Sequence, residues 1–170
     1  MKNRRCTSRA AIDSHDKWAQ ECMRKYGFYT HFVYDKDFDN SPSGVNLHTH
    51  GFEDSANHVD FQITIPLKPE VANEIFHELF KRVLEGWRAV EGAIIPNIIG
   101  GGMNVSFLSA MECGRPVLRV ILPDPNGHIN SASMMPRWRN AQYGDRAAPA
   151  RTVRRTGGKR NPCTEKSRKS

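Results

Sequence analysis

The chain has 170 residues, enough for one ordinary domain whose hydrophobic core needs neither disulfides nor metal ions. Its net charge of +7 is carried by residues 151–170, where eight Lys or Arg face a single Glu, so the rest of the chain is balanced. Four scattered Cys without a C-x-x-C pair argue against a disulfide-rich secreted scaffold. No apolar run approaches the ~20 residues that a membrane span needs. These features predict a cytoplasmic protein.

Composition predicts four segments along the chain. Residues 1–12 and the basic tail 145–170 have the polar, charged composition of disordered termini. Residues 13–128 carry the regular hydrophobic patterns of one folded domain. Residues 129–144 contain a few scattered large side chains, and we expect a loose arm there.

The domain opens with a helix and a strand. Apolar residues recur at helical spacing through 13–26, and Gly27 supplies a left-handed stop. Residues 28–34 are aromatic and β-branched, which predicts a strand before the polar loop 35–44.

The clearest pattern is a strict alternation within residues 45–67. From Val59 onwards the odd positions are apolar and the even positions polar, as in a half-buried antiparallel strand. In the preceding segment Val45, Leu47, His48 and His50 follow the same rule. If the two strands pair as a hairpin around the loop 51–57, residues that face each other share parity. The polar residues that this places on one face are His48, His50, His58 and Asp60.

Three imidazoles and a carboxylate on one face can supply the ligands of a catalytic divalent metal ion, with Zn²⁺ as the first candidate. They can equally form a general base that a carboxylate orients. The alternative is that these side chains coat the solvated face of a sheet whose other face is core. The pattern therefore predicts either a reaction centre or an ordinary polar surface.

The remaining elements complete an α+β fold. Residues 69–86 form a broad apolar stripe that begins with a proline and predicts a helix covering the apolar face of the sheet. A short strand is predicted at 94–99, and residues 105–112 and 117–122 predict a second hairpin. We expect a mostly antiparallel sheet of about five strands, with two helices packed on one face.

Basic residues outside the histidine pattern predict anion binding. Arg115 and Arg119 lie in the second hairpin, where they can hold a small anionic ligand or form ion pairs with Glu112. The tail can neutralise nucleic-acid phosphates without sequence specificity. The tail residues predicted to do so are Arg151, Arg154, Arg155, Lys159 and Arg160.

Residues 17–127 resemble a bacterial family known as domain of unknown function 4262. The resemblance rests on the motifs Tyr26-Gly27-Phe28, His48-Thr49-His50-Gly51-Phe52, Asn57-His58-Val59-Asp60-Phe61 and Glu112-Cys113-Gly114-Arg115-Pro116-Val117-Leu118, and on the helix 70–86. Val59 stands where a proline is usual in that family. The resemblance implies a fold and a bacterial, phage or plasmid origin, and it brings no established activity.

Two hypotheses for function follow. The first is a small hydrolase-like enzyme, acting on a small or nucleotide-like substrate, whose reaction centre is the histidine-rich face. The second is a non-catalytic binding or inhibitor protein of a phage or mobile element, in which the same face is a recognition surface and the tail contacts nucleic acid.

Overall fold

The structure, a computed structural model, describes residues 9–34 and 45–144, with side chains described at 15–34 and 45–144. The basic tail, with its predicted nucleic-acid-binding residues, lies outside the described residues, as does the predicted disordered N-terminus up to residue 8.

The described residues form an α+β fold with one six-stranded mixed sheet. Its strands are β1 (Tyr29–Tyr34), β2 (Val45–His50), β3 (Asp60–Ile63), β4 (Ile94–Pro96), β5 (Asn104–Glu112) and β6 (Arg115–Ile121). The helices are α1 (Arg9–Tyr26), α2 (Phe52–Ala56), α3 (Pro69–Leu84) and α4 (Pro136–Tyr143). None of these described helices has the length and apolar character needed to cross a bilayer.

The sheet consists of two antiparallel halves joined by one parallel pairing. Its strand order is β1-β2-β3-β6-β5-β4, and only β3 and β6 run parallel, with Asp60 opposite Val117. We call this pairing the central seam. The prediction of a mostly antiparallel sheet agrees with the other pairings, but the sequence pattern did not reveal the seam, and the count of about five strands was one too low.

Helix α3 covers one face of the sheet and forms the main core. Its apolar stripe, which includes Ile75, Phe76 and Leu79, is almost completely buried against strand residues such as Leu47 and Phe61. Because strand side chains alternate, the polar residues between these core positions point to the opposite side, which we call the second face.

The second face is also partly covered. Leu108, Ile121 and Met134 form a small apolar cluster there with Trp138 and Tyr143. The described residues form four helices where two were predicted, and of the predicted pair only α3 covers the main core, while α1 packs against the edge strand β1.

The segment 129–144 is held to the sheet by hydrogen bonds, in contrast to the expected loose arm. Gln142 is fully buried, its side-chain oxygen accepts a bond of 2.7 Å from the Leu122 N–H, and its amide donates one of 2.9 Å to the Leu122 carbonyl. Helix α1, in turn, begins at Arg9, inside the segment predicted to be disordered.

Gly51 fixes the contact between α1 and the end of β2. Its φ of +109° lies in the region that favours glycine, and an added Cβ would collide with the Met23 thioether and lie 3.0 Å from the Gly27 carbonyl oxygen. We expect Gly51→Ala to lower the free energy of unfolding by roughly 2–3 kcal/mol in urea denaturation.

Gly92→Ala is the matched control for this substitution. Gly92 also has a positive φ, of +79°, but nothing lies within 4 Å of its added Cβ. Gly92→Ala should therefore lower the free energy of unfolding only through the strain of a positive φ, by about 1–2 kcal/mol. Equal effects of the two substitutions would contradict the proposed collision with Met23.

Candidate functional site

Three histidine rings meet on the second face of the sheet, where β1 pairs with β2. His31 lies opposite His48 in the antiparallel register, and His50 follows two residues later on the same side. Ring centroids are 5.4 Å apart for His31 and His48, 4.7 Å for His31 and His50, and 5.0 Å for His48 and His50. We call these three residues the histidine cluster.

The histidine cluster has the composition and spacing of a metal site. One nitrogen from each ring lies within 4.8 Å of the other two. Nitrogens bound to a tetrahedral zinc ion lie about 3.4 Å apart when each bond is about 2.1 Å long, so the rings would have to approach one another to hold one. Three imidazoles with a fourth position left for water are a ligand set used by catalytic zinc.

His50 has a ligand atom without a competing partner among the described residues. Its Nε2 is buried and makes no hydrogen bond within the part of the chain that is described. The ring stacks on Tyr29, with centroids 4.8 Å apart and planes 12° from parallel. Burial, followed by the positive charge of Arg115, lowers the pKa of His50 to about 4. The ring is therefore neutral at pH 7, which is the state that binds a metal ion.

His48 lies between an amide and a carboxylate. Its ring is 3% exposed, with Nδ1 3.1 Å from the Asn46 side-chain oxygen and Nε2 3.7 Å from Glu112 Oε1. Burial lowers the pKa of His48 more than the charge of Glu112 raises it. The neutral ring consequently faces a carboxylate at a distance too long for a hydrogen bond.

A fourth imidazole reaches the cluster from α1. His15 Nε2 lies 2.8 Å from His31 Nε2, so one of the two rings donates a hydrogen bond to the other. Burial and the neighbouring His15 both lower the pKa of His31. Helix α1 thereby holds His31 in place from the edge of the sheet.

Glu112 supplies a buried, ionised carboxylate beside the cluster. Its Oε2 accepts a bond of 3.0 Å from Arg115 Nε. Burial raises the pKa of Glu112, but hydrogen bonds from Cys113 and Arg115 and the positive charge of Arg115 outweigh it, so the net shift is downward. Glu112 is therefore a proton acceptor at neutral pH.

Asp60 lies on the second face, as predicted, but its oxygens are already bound within the protein. Oδ1 accepts hydrogen bonds from Thr49 Oγ1 at 2.8 Å and from the Phe52 N–H at 3.3 Å. Oδ2 pairs with Arg115 at 2.6 Å. Asp60 thus anchors Arg115, and through it Glu112, at the rim of the cluster.

Comparison with family models, with curated proteins and with solved structures finds no match for this chain. The resemblance to domain of unknown function 4262 stays a prediction. The candidate site is therefore interpreted from its own geometry.

His58 does not join the other predicted residues. It precedes β3, and its ring stacks on Phe61 of the main core with centroids 5.0 Å apart. Its Nδ1 donates to the Val59 carbonyl at 2.7 Å, and its Nε2 accepts from the Ala89 N–H at 3.1 Å. Both nitrogens are used inside the fold, so the expectation that His58 shares a face with His48 and His50 is wrong.

The two arginines predicted to bind an anion both face other protein groups. Arg119 is 5% exposed and donates to Gln62 at 2.8 Å and to the Gln142 carbonyl at 3.0 Å. Arg115 donates to Asp60, Glu112 and the Thr49 carbonyl. Arg119 is too deeply enclosed to meet a ligand, whereas Arg115 remains 29% exposed through its side chain.

A cavity of about 230 Å³ lies beside the cluster, between α1, β1 and α3. Its lining is mostly aromatic and includes Trp18, Phe28 and Tyr29, with Asn73 and His77 as polar groups. Tyr29 is shared, because its ring also stacks on His50. The cavity and the histidine cluster therefore share the Tyr29 side chain.

Sequence reasoning did not single out His31, and it placed Glu112 in ion pairs of the second hairpin, one of which forms with Arg115, but not beside the histidines. The alternation of Tyr29, His31 and Val33 was visible, but it does not say which residue of β2 lies opposite each of them. Glu112 reaches the cluster through the central seam, for which no local pattern exists.

Proposed function

We propose that this protein is a small metal-dependent hydrolase that binds a divalent cation, zinc first among them, through His31, His48 and His50. The observation that carries the proposal is the convergence of three neutral imidazoles, one of which has a buried nitrogen that no group in the described part of the chain contacts through a hydrogen bond. A buried lone pair without a hydrogen-bond donor costs free energy, and a bound metal ion would remove that cost.

The bound ion would polarise a water molecule and lower its pKa. The residues around the cluster are suited to the rest of the reaction. The carboxylate of Glu112 accepts the proton that the attacking water gives up, and returns it to the leaving group when the bond to that group breaks. Arg115, held by Asp60, keeps Glu112 oriented and places a positive charge beside the site.

Zinc titration of the full chain tests the metal site. We expect one equivalent to bind in competition with a chromophoric chelator, and His48→Ala or His50→Ala to lower the affinity at least a hundredfold. His128→Ala is the matched control, because His128 is exposed and its contact is with Asp124. Absence of stoichiometric binding, or equal binding by all variants, would contradict the metal site.

Hydrolysis is tested separately with activated carboxylate and phosphate esters. We expect turnover by the zinc-loaded protein, with Glu112→Gln retaining zinc and losing most of that turnover. The glutamine keeps an acceptor for Arg115 but cannot take a proton. Zinc binding without turnover would exclude the hydrolase and favour the non-catalytic binding protein.

A further inference from the structure

A chain of hydrogen bonds runs across the second face from Arg119 to His48. Arg119 Nε lies 2.8 Å from a side-chain atom of Gln62, and the other end of that amide lies 2.9 Å from Asn46. The same Asn46 atom lies 3.1 Å from His48 Nδ1. Gln62 and Arg119 are buried, so these groups satisfy one another rather than solvent.

The direction of every bond in this chain follows from one fact, which is that a guanidinium can only donate. The Gln62 atom that meets Arg119 must be its oxygen, so the atom that meets Asn46 is the amide nitrogen. That nitrogen donates, and the Asn46 atom that receives it must be the side-chain oxygen. An oxygen that faces His48 Nδ1 requires a proton on Nδ1.

We infer that Asn46 is a positioning residue, held by Gln62 and Arg119, that keeps the proton of the neutral His48 ring on Nδ1 and presents the Nε2 lone pair to the metal. Only the binding of a metal ion by Nε2 rests on the proposed function. The tautomer of His48 is a property of the metal-free protein.

A second acceptor competes for the same proton. Glu112 Oε1 lies 3.7 Å from His48 Nε2 and would draw the proton to that nitrogen if the Asn46 contact were lost. The proton would then block the ligand position. The series of hydrogen bonds that starts at Arg119 therefore determines whether the His48 ring can bind a metal ion. Contacts that orient a ligand in this way commonly change metal affinity 10- to 100-fold.

Nitrogen-15 NMR of the imidazole rings in metal-free protein tests the tautomer directly. We expect the parent protein to show a protonated Nδ1 and a pyridine-like Nε2 at His48. Asn46→Ala should shift the proton towards Nε2, whereas Asn46→Asp, which keeps an acceptor oxygen, should leave the parent pattern. Thr64→Val is the control, because it changes a buried hydroxyl two residues from Gln62 that has no hydrogen-bond partner within the described residues.

Zinc titration of the same variants gives the second readout. Asn46→Ala should bind roughly 10- to 100-fold more weakly than the parent, and Asn46→Asp should match or exceed it. A parent ring protonated at Nε2, or an unchanged tautomer in Asn46→Ala, would overturn the inference. If the tautomers behave as expected and no variant binds zinc, the metal proposal fails while the role of Asn46 stands.

Discussion

Replacing Arg115 with Met should lower the free energy of unfolding by about 3–5 kcal/mol at pH 7. Arg115 is the shared partner of two carboxylates whose side chains are 8% and 4% exposed, those of Asp60 and Glu112. Methionine keeps most of the aliphatic stem but removes the bonds to both carboxylates and to the Thr49 carbonyl. Two buried negative charges are then left uncompensated, which costs far more than the loss of a surface pair.

Urea denaturation measures this effect, and Arg82→Met is its control. Arg82 pairs with Glu78 at 2.9 Å, but the two side chains are 26% and 34% exposed, so that substitution should cost less than about 1 kcal/mol. The deficit of Arg115→Met in unfolding free energy should also narrow at acid pH, because protonation of Glu112, whose pKa Arg115 helps to lower, removes one of the buried charges. Similar losses for the two variants, independent of pH, would contradict the role assigned to Arg115.

Metal-free protein should lose stability steeply as the pH falls from 6.5 towards 4. The pKa values of five histidines lie below 6.5, and burial is the largest cause in each case. These residues are His31, His48, His50, His58 and His77. For His50 alone the change from 6.5 to about 4 corresponds to on the order of 3 kcal/mol.

Proton binding by these histidines favours the unfolded chain. Between these two pKa values the unfolded chain is protonated at the histidine and the folded chain is not, so acid favours unfolding. The full stability is present above about pH 6.5, and the contribution of His50 is lost by about pH 4. The pKa values of Glu112 and Asp124 are lowered from 4.5 and 3.8, so the stability that these two carboxylates contribute is lost only at lower pH.

Urea midpoints measured in chelator at intervals between pH 7.5 and 4.5 would show the effect. His50→Gln should flatten the dependence of the urea midpoint on pH, because it removes the largest single contributor. A parent protein with the same midpoint at pH 7 and pH 5 would show that the histidines are not desolvated as described.

Local patterns in the sequence predicted the elements that depend on local physics. The apolar stripe of α3 predicted a helix that begins at Pro69, and the alternation through β2 placed His48 and His50 on one side of a strand. Both follow from periodicity, because the helix and the strand each bury one face. The turn at Cys113 and Gly114 was similarly readable from its residues.

The errors come from connections that periodicity does not describe. The parity rule assumed that both strands continue up to their turn, but α2 and the left-handed Asn57 intervene, and β3 starts only at Asp60. His58 therefore belongs to the turn and faces the core. The neighbours His31 and Glu112 depend on strand register and strand order, which are set by packing across the whole sheet.

The central seam also dictates the order in which the site can be assembled. During synthesis the first three strands, with all three residues of the histidine cluster, leave the ribosome while β3 still has an unpaired edge. Glu112 and Arg115 are added only after about fifty more residues have been made. A nascent chain would thus carry its histidine cluster well before it carries Glu112.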